Sequence, residues 1–65
     1  MGSFSVYASV LAVNISRIRD ALELIESTIK QPLTESQRIS LLVLRNDYID
    51  RLKSCTRELA LELGI

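Results

Sequence analysis

The sequence predicts an all-α domain: an antiparallel hairpin of two long helices that self-associates into a four-helix bundle or a larger helical assembly. Three observations carry this. Apolar residues recur at alternating steps of four and three from Phe4 to Ile29, the seam spacing of a helix packed along its whole length. A helix-capping sequence follows directly on the single proline. The 65-residue chain is 48% apolar but only 5% aromatic, and its Leu, Ile, Val and Ala content suits helices better than a sheet.

The first helix is expected over about residues 5–30. Its seam reads Phe4, Ala8, Leu11, Ile15, Ile18, Leu22, Ile25 and Ile29. Ser3 or Ser5 supplies a side-chain oxygen for an otherwise unpaired amide at the start. Glu26 stands four residues before Lys30, the favourable order for a helical ion pair, and a lysine in the last turn suits the helix dipole. Pro32 then drives Gln31 out of helical geometry.

The second helix is expected over about residues 35–63, after a turn at 31–34. Thr34-Glu35-Ser36-Gln37 fits a capping box, in which Thr34 accepts from the Gln37 amide and the Gln37 side chain reaches back. The inward stripe reads Leu41/Leu42, Arg45, Tyr48/Ile49, Leu52, Cys55/Thr56, Leu59 and Leu63. Gly64 supplies the left-handed residue that ends many helices. So short a turn requires the helices to fold back on each other. Residues 1–65 therefore form a single hairpin domain.

More apolar residues are present than one hairpin contact uses. At 100° per residue, Val6, Val10, Val13 and Leu24 fall away from the first seam, and Ile39, Val43 and Leu61 away from the second. Val6–Val13 and Ile39–Leu44 are apolar nearly all round. Reflection about the turn puts the first cluster at the open end and the second near the turn. Two hairpins with turns at opposite ends would bring unlike clusters together twice across a two-fold axis. A chain this small exposes roughly 4,200 Å² folded against roughly 10,600 Å² unfolded. Lacking a disulfide set or a metal, it needs association for stability. These seven residues are the expected interface.

Two polar residues sit near the seams. Arg45 interrupts the inward stripe of helix two, where it either sets register or contacts a partner, or lays its stem on the core with its guanidinium in water. Arg38, on the same face, is expected to do the latter. Asn14 flanks the first seam, a place from which a polar side chain can select register or partner.

Catalysis finds no candidate residues. The single cysteine, Cys55, has no histidine anywhere in the chain to activate it, and seam spacing makes it a small core residue. Asp20/Glu23 and Asp47/Asp50 fall on solvated faces beside arginines and lysines. There, Asp47–Arg51 and Asp50–Lys53 read as ordinary helical ion pairs. No metal or cofactor is expected. Eight basic residues balance eight acidic ones, against the basic excess of nucleic-acid binders. Serines and Asn14 interrupt the uncharged stretch before Arg17, too often for a spanning helix of about 20 apolar residues. A cytoplasmic protein is expected.

The architecture resembles that of three kinds of small helical hairpin: the plasmid copy-number regulator Rop, the small co-chaperones of type III secretion, and short regulators of phages and mobile elements. No motif residue of these carries across. The function expected is a non-enzymatic protein–protein interaction module: a homodimer or higher oligomer acting as adaptor, regulator or chaperone, with a second protein as a further partner. The alternative is a Rop-like RNA- or DNA-binding dimer using Arg17, Arg19, Arg51, Lys53 or Arg57.

Overall fold

The structure, a computed structural model, describes residues 5–65. It contains two helices, α1 (Val6–Ile29) and α2 (Glu35–Leu63), packed against each other, with no strand among the described residues. The hairpin is a rod of 52 × 16 × 15 Å. Its radius of gyration is 15.1 Å, where a globular chain of this length has roughly 11 Å.

Local signals set both ends of each helix. Ser5 is the cap of α1, its backbone extended and its Oγ accepting from the Ala8 amide at 3.0 Å. The α1 helix stops one residue before the expected end, with Lys30 as C-cap and the Gln31 amide donating to the Thr28 carbonyl at 3.0 Å. Both arms of the capping box of α2 form: the Gln37 amide donates to Thr34 Oγ1 at 3.1 Å, and the Thr34 amide to Gln37 Oε1 at 3.0 Å. Gly64 closes α2 at φ 75°, a left-handed conformation that a side chain would strain. Phe4 and Ser3 lie outside the described residues.

The seam of α1 is the core. Ala8, Leu11, Ile18 and Ile25 are buried, and Ile15, Leu22 and Ile29 are half-buried, so every described seam position faces α2. No residue of α2 is buried. Its half-buried line runs Arg38, Leu41, Arg45, Tyr48, Leu52, Cys55, Leu59, again in steps of three and four. Among the doublets of the stripe, Leu41 and Cys55 take the seam, while Leu42 and Thr56 are exposed; Tyr48 and Ile49 share it. Leu63 is also exposed.

The capping box lies at the only bend between the helices, so it affects both the start of α2 and the geometry of the hairpin. Thr34→Ala is expected to lower stability by about 1 kcal/mol, read as an earlier midpoint in urea with an unchanged slope.

Candidate interaction surface

Four side-chain contacts run between the helices. Nearest the turn, Arg38 Nη1 donates to the Ile29 carbonyl at 3.4 Å, covering a backbone acceptor that the end of α1 leaves unpaired. Arg38 thus binds the other helix instead of only extending into water. Next, Arg45 Nε lies 2.7 Å from Glu26 Oε1. That Nε is sealed from solvent and its N–H is out of line with the oxygen, so the contact is a charge pairing, not an aligned hydrogen bond. At the open end Tyr7 Oη donates to Glu58 Oε2 at 2.6 Å and Ser5 Oγ donates to Glu62 Oε1 at 2.8 Å.

Two ion pairs expected from helical spacing do not form. Glu26 turns away from Lys30 to reach Arg45 across the hairpin, because a partner at the seam offers a less hydrated contact than an exposed one along the helix. Asp50 and Lys53 are unpaired with each other, whereas Asp47 and Arg51 do pair, at 3.0 Å. Arg51 also lies over the Tyr48 ring, 5.8 Å from its centroid. Tyr7, Glu58 and Glu62 carry no periodic or motif signal in the sequence. Only the registry of the hairpin brings them together.

All seven residues expected at an interface are exposed in the single chain: Val6 by 83%, Leu61 by 73%, Leu24 by 68%, Val43 by 64% and Ile39 by 53%, with Val10 and Val13 near one half. The structure gathers five of them in two separate places, and Leu24 and Leu61 line neither. Val6, Val10 and Val13 line one shallow groove with Ser9, Asn14 and Arg17, on the outer flank of α1. Ile39, Val43 and Leu44 line another with Ser40 and Asp47, on the outer flank of α2. Since the seams face each other, these flanks point in opposite directions. One two-fold contact can cover one flank of a chain, not both. The reciprocal pairing of unlike clusters expected from the sequence therefore does not fit a single closed interface.

Asn14 is exposed and stands at the junction of the first groove with a cleft of about 480 Å³ between the helices, whose lining includes Arg17, Ile18, Asp50, Arg51 and Cys55. Among the described residues no group of three or more His, Cys, Asp or Glu is placed to hold a metal ion. No helix is long and apolar enough to cross a membrane. Of the exposed basic residues, Arg17 and Arg51 line the same cleft beside Asp50, while Arg19 lies on another side of α1 and Lys53 and Arg57 on other sides of α2.

Two measurements check this geometry. A double-mutant cycle on Glu26 and Arg45 is expected to give a coupling of about 0.2–1 kcal/mol, the range of a half-exposed pair. The Glu58 carboxylate that accepts the Tyr7 hydrogen bond holds the phenol's pKa above its ordinary value of 10.0, with slight desolvation adding to this. The folded chain therefore keeps this proton more tightly than the unfolded one. The contact's contribution is present in full below pH 10 and disappears as pH rises through the raised value. Alkaline melting curves of the wild type are expected to show this loss, and those of Tyr7→Phe to lack it.

Compared with protein-family models, curated proteins and solved structures, the chain matches none.

Proposed function

We propose that the protein is a non-enzymatic protein–protein interaction module, a small helical hairpin that self-associates and acts as adaptor, regulator or chaperone. One observation carries the reading: the single chain leaves many large apolar side chains open to solvent. Its total surface is 5108 Å², against roughly 4,200 Å² for a compact monomer of its mass, an excess to which its rod shape contributes. A standard-size interface removes about 800 Å² from each partner. Among the described residues twelve large apolar side chains are at least 40% exposed, and contiguous patches of that kind mark interaction sites.

The Rop-like nucleic-acid reading gains nothing specific. Of its arginines and lysines only Arg17 and Arg51 come together, beside Asp50, and Arg51 is already engaged by Asp47 and Tyr48. The serviceable surface is apolar, and its ligand is another apolar surface. Opposite flanks also suit an adaptor, in which association through one face leaves another open.

The test is mass action. Folding coupled to association gives a melting temperature that rises with protein concentration. Sedimentation at micromolar concentration is expected to show a dimer or larger species. A monomer whose melting is unchanged over about a hundredfold dilution would contradict self-association. Asp50→Ala serves as the control on an exposed position and is expected to shift stability by no more than about 0.5 kcal/mol.

A further inference from the structure

Leu42, Ile49, Thr56 and Leu63 are seven residues apart and so form one line along α2, beside the seam. Leu42 is 40% exposed and Leu63 44%; Thr56 is exposed and Ile49 half-buried. A helix with two apolar positions in seven makes one packing contact, whereas a third position beside them belongs to a helix facing the core of a bundle. Helix α2 has that third position. On the same side of the hairpin, the corresponding line of α1 is Ser5, Ala12, Arg19 and Glu26, polar except for one small residue. The open apolar face is therefore mainly that of α2.

We propose that this line is where two copies of the chain pair, α2 against α2 and antiparallel, with the turns at opposite ends. The inference rests on the self-association reading and adds the face and the direction. The order of residues supports a second copy as the occupant. The line has large leucines at its ends and β-branched residues within, so reversing it reproduces the pattern. An antiparallel copy sets Leu42 on Leu63 and Ile49 on Thr56, each contact made twice, which is what a two-fold interface requires. The line spans 21 residues (about 32 Å at 1.5 Å per residue), most of the length of α2. No charged residue lies on it. Ile65, 87% exposed, follows Leu63 at the C-terminal end, and Glu35 stands one heptad before Leu42, beyond the reach of the reflected chain. Lys53 falls at the outer edge beside the axis, where a flexible stem keeps each ammonium in water. A standard-size interface removes about 800 Å² from each partner, and Leu42, Leu63 and Ile65 are the large exposed apolar side chains that this face brings to it. Val6, Val10 and Val13, on the far flank of α1, stay uncovered.

The experiment uses the full chain with Cys55→Ser, carrying either Leu42→Cys or Leu63→Cys. Oxidising a mixture of the two is expected to give a disulfide-linked heterodimer, and neither variant alone a comparable yield. Cross-linking only between like positions would show parallel helices and overturn the proposal. In a matching pair of variants, Leu42→Glu is expected to weaken dimerisation by at least about tenfold and Val10→Glu by less than about twofold, since only the former desolvates a carboxylate in the contact. The opposite order would move the interface to the flank of α1, and the proposal would fail while self-association stood. A wild-type chain that is monomeric at about 100 μM, a concentration at which even weak complexes form, would remove both. If Leu42→Glu fails to fold, the cysteine pair still decides the direction.

Discussion

Two helices lying side by side share one line of contact, so each can hide only one stripe of side chains. Everything else in this molecule follows from how unequally that line is used. In α1 the stripe is uniformly apolar, and four of its residues are buried. In α2 it contains Arg38 and Arg45, whose heads reach carbonyl and carboxylate oxygens at the edge of the seam. Long charged side chains at these two places fill the seam less completely than leucines would. The second helix thus has no buried residue, and its apolar side chains beyond the seam remain available for contacts outside the chain.

The polar contacts across the hairpin contribute little to stability, because exposed pairs are worth a few tenths of a kcal/mol to about one. Their effect is on alignment. Alternating three-four spacing alone would accept a slip of one heptad, since leucines and isoleucines pack against one another almost interchangeably. Glu26 with Arg45 and Tyr7 with Glu58 do not survive such a slip. A few specific pairs near the two ends and the middle therefore select one register among several of similar burial.

Much of this was legible in the residues. Periodicity and caps are local properties, which is why the boundaries of α2 follow from Thr34, Gln37 and Gly64, while Pro32 locates the end of α1 to within one residue. The side-chain partners were less legible. Glu26 has one attractive neighbour along its own helix and another across the hairpin, and only the three-dimensional arrangement shows that the second prevails. The doublets Leu41/Leu42 and Tyr48/Ile49 illustrate a different difficulty. Read as alternatives for one inward position, they conceal that their second members form a line of their own. Likewise, the clusters around Val10 and Val43 are evident as apolar stretches, but the directions they face depend on which side each helix gives to its neighbour.

The turn has a kinetic consequence. Arg38 and Ile29 are nine residues apart, whereas Tyr7 and Glu58 are separated by 51 and Ser5 and Glu62 by 57. Loop-closure entropy rises with separation, so contacts form first beside Pro32 and extend outward, like a zipper started at its closed end. The reverse sequence governs opening. The last contacts made are the first to part. Ala8 and Leu11, the most deeply buried of the described side chains, lie at that same end, so opening there gives up close apolar packing and not only two polar contacts.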